Sequence, residues 1–279
     1  MINFLHNFQP QAILWSGSFF DIRWYGLLMV TGISLAIISA LLLAKAYGYK
    51  TETILDLSFW LIIGGLLGAR VYEIFLEWPY YYQNTLSIFK IWQGGLAIHG
   101  AIIGGLISAW LFTHKNKLDF WFVTALVVPG LALGQAIGRF GNYFNQELFG
   151  LPTDKPWGIP IDPINRPLEY IGEKFFHPTF IYESFGSLII FLILIAIHVI
   201  MLRKLKSGDF KKIYRHFFIR LTAIYLILYS LLRFFLEFIK VDQTPKLWGW
   251  RWPQIISLVI IFLAIPLFFK KNKHAEIER

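Results

Sequence analysis

The chain contains no cysteine, so it can form no disulfide, no thiolate metal site and no nucleophilic thiol of its own. Charge is scarce as well. Only 15% of its 279 residues are Asp, Glu, Lys or Arg against 56% hydrophobic, too few to coat so much apolar chain as a soluble surface. These shortages exclude a disordered chain, a coiled coil and a disulfide scaffold. No histidine pair has zincin spacing, and no P-loop, GxSxG or dinucleotide fingerprint occurs, so neither a metal nor a cofactor is implied. What is present is a basic excess, 26 Lys+Arg against 17 Asp+Glu, together with positive mean hydropathy. That pairing points to a membrane protein whose cations face the anionic cytoplasmic leaflet, in preference to a nucleic-acid binder.

Uncharged apolar runs at 24–44, 91–113, 120–138, 184–202 and 252–269 are each near the roughly 20 residues that cross a hydrocarbon core as helix. Two further runs are interrupted by charge: 54–76 holds Asp56, Arg70 and Glu73, and 221–239 holds Arg233 and Glu237. Both can still cross if the charges face protein or water. The expectation is an all-α polytopic membrane protein of seven transmembrane helices, one integral membrane domain over 1–279. The first run is long and lacks a small-residue cleavage site, so it reads as a retained span.

With the amino terminus outside, one face collects Lys45, Lys50, Lys115, Lys117, Arg203, Lys204, Lys206, Lys211, Lys212, Arg215, Arg220, Lys270, Lys271, Lys273 and Arg279. The opposite segments carry fewer cations, diluted by acids, so the positive-inside rule gives N-out, C-in. The longest connection, 140–179, then lies outside. Its prolines, among them Pro152, Pro156, Pro160 and Pro163, break any long helix, which predicts a small extracytoplasmic head. Residues 12–20 (AILWSGSFF) are too short to cross and suit an interfacial segment.

Glycines spaced by four occur as Gly64 and Gly68, as Gly100 and Gly104, and as Gly130, Gly134 and Gly138. Such spacing lines small residues along one helix face and predicts close helix packing. Polar residues in the spans need another reason. Arg139 and Asn142, three apart at the outer end of the fourth run, share a helix side, and Arg139 has Glu147 within reach as a plain structural partner. Tyr229, Arg233 and Glu237 recur every four residues and share another face. Glu237 could simply neutralise Arg233. Yet one arginine on each of two helices also makes a cradle for a phospholipid phosphate, because guanidinium forks match phosphate oxygens. Arg70 with Glu73 reads as structural.

His99 stands among glycines near the outer side and is a candidate general base, whereas His198, in an aliphatic run, reads as a hydrogen-bonded packing residue. The run 177–183 (HPTFIYE) opens the fifth span, with Pro178 suited to a helix start.

The segments 138–150 (GRFGNYFNQELFG), 93–100 (QGGLAIHG), 177–183 (HPTFIYE) and 229–237 (YSLLRFFLE) together resemble the bacterial prolipoprotein diacylglyceryl transferases, over nearly the whole chain and in the same order. The resemblance implies transfer of the diacylglyceryl group of phosphatidylglycerol to the lipobox cysteine thiol of a prolipoprotein, forming a thioether and releasing glycerol phosphate. It implies no cofactor, and a place in the bacterial cytoplasmic (inner) membrane with the site towards the outer leaflet. Carried over position by position, Arg139 and Arg233 look like the family's essential arginines, Asn142 and Gly150 like its signature Asn and Gly, and His99 like its motif histidine. Tyr25, Glu147, Tyr229 and Glu237 fall on matching positions. The chain departs from the pattern at Ala101, at Gln146 where a glycine is usual, and at Phe180.

The expected division of labour gives the phosphate to Arg139 and Arg233, with Asn142 and Gly150 beside the lipid, the thiol proton to His99 as acceptor or relay, with Glu147 or a water as the other candidate base, and orientation of the arginines to Tyr229 and Glu237. Two other classes compete. A secondary transporter of an anionic solute would also use buried arginines and glycine-broken helices, but internal repeats are missing. A receptor would account for the spans and leave the arginines unexplained.

Overall fold

The computed structural model describes residues 6, 8, 10–17, 21–207 and 215–269. Residues 18–20 of the expected interfacial segment, and Lys211, Lys212, Lys270, Lys271, Lys273 and Arg279 of the basic face, lie outside the described residues. Among those described, two short strands, β1 (Ile13–Ser16) and β2 (Asp21–Arg23), pair antiparallel before α1 (Trp24–Ala46). Then follow α2 (Thr51–Leu76), the short α3 (Trp78–Gln83), two 3-10 turns, α4 (Ile98–Lys115) and α5 (Phe120–Phe144). After α5 the chain makes a small irregular unit containing β3 (Ile159–Pro160) and β4 (Phe175–Phe176). The remaining elements are α6 (Thr179–Ser207), α7 (Arg215–Leu236), the hairpin β5 (Lys246–Leu247) and β6 (Trp250–Arg251), and α8 (Trp252–Phe269).

Six of these helices, α1, α2, α5, α6, α7 and α8, are long and apolar enough to cross a membrane. The seventh expected span is corrected in its extent. Helix α4 does not begin at 91: Ile91–Gln93 form a 3-10 turn, and Gly94 and Gly95 adopt positive φ of 94° and 70°, which only glycine enters freely. That leaves 18 helical residues ending in His114 and Lys115, and α4 is not among the six.

Local chemistry explains the other boundaries. The Asp119 side chain accepts a hydrogen bond from Phe122 N and caps α5. Pro178 immediately precedes α6. Trp248 and Gly249, both at positive φ, supply the tight turn of the last hairpin.

Helix α5 is the hub, packed against α1, α6 and α7 and half buried along its most apolar window. Phe122, Leu126, Leu194, Phe218 and Leu221 form the largest cluster around it. A second apolar centre, Tyr143, Phe149, Ile159, Ile161, Phe176 and Phe180, holds the irregular unit onto the ends of α5 and α6. The glycine spacing has the expected outcome at most positions. A side chain at Gly64, Gly68, Gly100 or Gly104 would collide with the facing helix, so α2 and α4 meet backbone to backbone, and Gly130 meets Ala36 of α1. Gly138 differs, with nothing within 4 Å of an added Cβ. His198 is fully buried. Its Nε2 donates to the Ala125 carbonyl at 3.1 Å, leaving Nδ1 to accept from the Tyr47 hydroxyl at 2.8 Å.

Candidate functional site

Where α5, α6 and α7 reach the irregular unit, their polar residues converge on one carboxylate. Glu183, in the first turns of α6, is 1% exposed. Arg139 of α5 reaches its Oε1 at 2.6 Å, while Arg233 of α7 and Lys240 just beyond α7 each reach its Oε2 at 3.2 Å. Tyr229 donates its hydroxyl to Oε1 at 3.4 Å. A charge so deeply buried persists only when paired and hydrogen-bonded, and here three cations surround it.

The network extends in two directions. Arg139 donates to Asn142 Oδ1 at 3.2 Å, Asn142 donates to Glu147 Oε1 at 2.8 Å, and Asn145 donates to the same oxygen at 3.3 Å. Thus Glu147 holds the amides and Arg139 pairs with Glu183, a different partner from the Glu147 within its reach along the sequence. On the other side Arg233 meets Glu237 Oε2 at 3.1 Å, Glu237 Oε1 takes Arg251 at 2.8 Å, and Arg251 reaches Asp242 at 3.3 Å. Lys240 is held below its ordinary value chiefly by burial, with neighbouring cations acting the same way and Glu183 opposing. Around this chain of contacts four cations, Arg139, Arg233, Lys240 and Arg251, stand against four carboxylates, Glu147, Glu183, Glu237 and Asp242.

The arginines differ in how many donors they have left. A guanidinium offers five N–H groups. Arg251 gives its own to Glu237, the Lys240 and Asp242 carbonyls and Thr244. Arg70 likewise binds the carbonyls of Ser87, Ile88, Gly94 and Gly95, tying down the loop before α4; that is the structural role expected of it, although Glu73 is not its partner. By contrast Arg139 bonds Asn142 and Glu183 and lies against the Tyr229 hydroxyl, and Arg233 bonds Glu183 and Glu237. Both side chains remain about a fifth exposed, at 22% and 19%. These two can accept an anion without giving up their internal partners.

Tyr25 packs its ring at the backbone of Gly141, one residue before Asn142. Gly150 lies where the irregular unit threads between α6 and the end of α7: its N–H donates to the His177 carbonyl at 2.9 Å, and a Cβ there would stand 2.8 Å from His177 Cβ. Gln146 takes a φ of 52° where a glycine is usual in the resembled family. Its amide donates to Asp162 at 2.7 Å and to the Pro10 carbonyl at 3.2 Å, and accepts from Asp162 N at 2.6 Å.

His99 stands apart. It is exposed in the first turn of α4, its ring 5.9 Å from that of Tyr72, and no hydrogen bond or ion pair joins it to Arg139, Arg233 or Glu183 among the described residues. His177 lies closer to the irregular unit, 3.0 Å from the Tyr182 hydroxyl, which Trp157 also approaches at 2.9 Å. Burial, and then the Lys155 charge, push this imidazole below its ordinary value.

The sequence reading missed Glu183, Lys240 and Arg251. One signal was available: Glu183 and Ser187, four apart, mark a polar stripe on an otherwise aliphatic helix.

The Prolipoprotein diacylglyceryl transferase family profile matches residues 12–270. A relative from Synechocystis sp. is 39% identical over 265 residues, 94% of this chain and 89% of its own. One from Synechococcus elongatus is 43% identical over 250 residues, covering 88% and 82%. One from Finegoldia magna is 38% identical over 253 residues, covering 91% and 92%. Each of the three is named a phosphatidylglycerol–prolipoprotein diacylglyceryl transferase.

Proposed function

The chain belongs to the prolipoprotein diacylglyceryl transferase family, and from that premise we propose that it transfers the diacylglyceryl group of phosphatidylglycerol to the lipobox cysteine thiol of prolipoproteins. The observation that carries this reading is the pair of unsaturated guanidiniums, Arg139 and Arg233, brought from two helices to one buried carboxylate and left partly exposed.

The sulfur of the substrate cysteine attacks the glyceryl carbon that bears the phosphate. A C–S bond forms, the C–O bond breaks, and glycerol phosphate leaves with the electron pair. Negative charge grows on the departing ester, and Arg139 and Arg233 stabilise it in a site with little competing water. Two guanidinium forks with donors to spare suit the oxygens of a phosphodiester monoanion. Glu183, Glu237 and Tyr229 orient the two forks, Glu147 fixes Asn142 beside Arg139, Tyr25 walls the site at Gly141, and Gly150 lets the backbone approach. The thiol, with an ordinary pKa near 8.5, gives its proton to His99, directly or through a relay.

The same reading places the chain in the bacterial inner membrane with its amino terminus and the 140–179 head outside, α4 as a seventh, shorter span, and the site towards the outer leaflet. A transporter finds no support in the relatives, all transferases by name. The test supplies purified protein with labelled phosphatidylglycerol and a lipobox peptide. A thioether-linked diacylglyceryl peptide is expected, none with a Cys→Ser peptide, and none from Arg139→Ala or Arg233→Ala. Undiminished transfer by either variant overturns the phosphate assignment. A wild-type rate and pH profile in His99→Gln removes His99 as the base.

A further inference from the structure

The polar network does not stop at Glu183. Residues four apart share a helix face, so one turn away from the irregular unit, beneath Arg139, Glu183 and Tyr229, stand Gln135 on α5, Ser187 on α6 and Tyr225 on α7. The Tyr225 ring is stacked on that of Tyr229 with centroids 5.9 Å apart, and its hydroxyl lies beside the Gln135 amide. Two oxygens in this layer are unclaimed: Gln135 Oε1 and Ser187 Oγ are buried and have no hydrogen-bond partner among the described residues.

That is unusual for such groups. Buried polar atoms are nearly always paired, because an unmade hydrogen bond is costly. Several other buried serines and threonines of the bundle have partners: Ser184 donates to the Ala136 carbonyl on the neighbouring helix at 2.6 Å, and Ser58 and Thr222 donate to the carbonyls four residues before them, while Ser39 Oγ of α1, far from this layer in sequence, is unpartnered as well. Ser187, fully buried, does neither. The layer offers acceptors to something that brings its own donors.

We propose that Gln135, with Ser187 and Tyr225, binds the hydroxylated head of the lipid donor and sets the preference for a polyol phosphodiester. The inference rests on the transferase reading and deepens it. With the phosphate on Arg139 and Arg233, a three-carbon head has one helical turn, about 5.4 Å, to reach Gln135. Its hydroxyls supply the donors that Gln135 Oε1 and Ser187 Oγ lack.

The experiment compares kcat/KM with the lipobox peptide on phosphatidylglycerol and on phosphatidylpropanol, which keeps the phosphodiester and lacks the head hydroxyls. Wild type favours phosphatidylglycerol. Gln135→Leu lowers that preference about tenfold, the worth of one good hydrogen bond, through KM on phosphatidylglycerol, with the rate on phosphatidylpropanol kept within about twofold. Ser187→Ala, a milder change, moves the ratio the same way. An unchanged ratio in both variants, or equal losses on both lipids, assigns the layer to packing or ordinary water and overturns the inference, as does a wild type without preference. Transfer from neither lipid by wild type removes the transferase reading itself, and this inference with it; transfer with unaltered discrimination removes only the inference.

Discussion

Four arginines, Arg70, Arg139, Arg233 and Arg251, carry the same charge and differ in what remains to be bound. Arg70 and Arg251 each already make four hydrogen bonds within the protein, so their replacement is expected to act on stability: Arg251→Ala leaves the Glu237 carboxylate, 1% exposed as a residue, with Arg233 alone, at a cost of about 3 kcal/mol. Thermal unfolding in detergent checks this. Glu183→Gln leaves three cations about a neutral amide and is expected to cost about 3–5 kcal/mol. Added glycerol phosphate should raise its unfolding midpoint more than that of wild type, because the anion replaces the lost charge; an equal rise contradicts the role given to Glu183. Gln146 poses a trade. Glycine there relieves the positive φ but loses the bonds to Asp162 and Pro10, whereas alanine loses the bonds and keeps the strain, so Gln146→Ala is expected to melt below Gln146→Gly by about 1 kcal/mol. Arg139, Asn142, Arg233 and Glu237 were legible because spacing of three or four shows a shared face within one helix. Glu183, Lys240 and Arg251 were not, since their meaning arises only where separate segments meet.

At the scale of elements, apolar run length located the helices, matched α8 at both ends and α1 at its start, and misplaced several other ends. Helix α5 continues to Phe144 and α6 starts at Thr179, because the polar residues that seemed to close the runs turn inward to one another and not to water. The start of α4 was hidden because Gly94 and Gly95 interrupt the helix without interrupting apolarity. The glycines themselves divide by contact. Gly68→Ala and Gly104→Ala force backbone apart at the α2–α4 seam and are expected to cost about 1–3 kcal/mol. Gly138→Ala, in open space, is expected to be neutral or to stabilise α5 by up to about 1 kcal/mol. A uniform loss across the three would contradict the seam.

For the whole molecule, orientation was read from charge and can be tested against a clean background, since a chain without cysteine accepts single cysteines as unique labels. With an impermeant thiol reagent on intact cells, Glu169→Cys in the irregular unit should react, and Lys115→Cys at the end of α4 only after permeabilisation. The opposite pattern inverts the proposed topology. The backbone-to-backbone seam has one more consequence, in mechanical terms. It makes a single panel of α2 and α4, which joins the α1–α5–α6–α7 block through α1 and α5 and sends Ile54, Leu57 and Phe112 into the shared core. His99 rides on the panel and the two arginines ride on the block, so the spacing between imidazole and guanidiniums is governed by how these two bodies are joined and not by the packing inside either one.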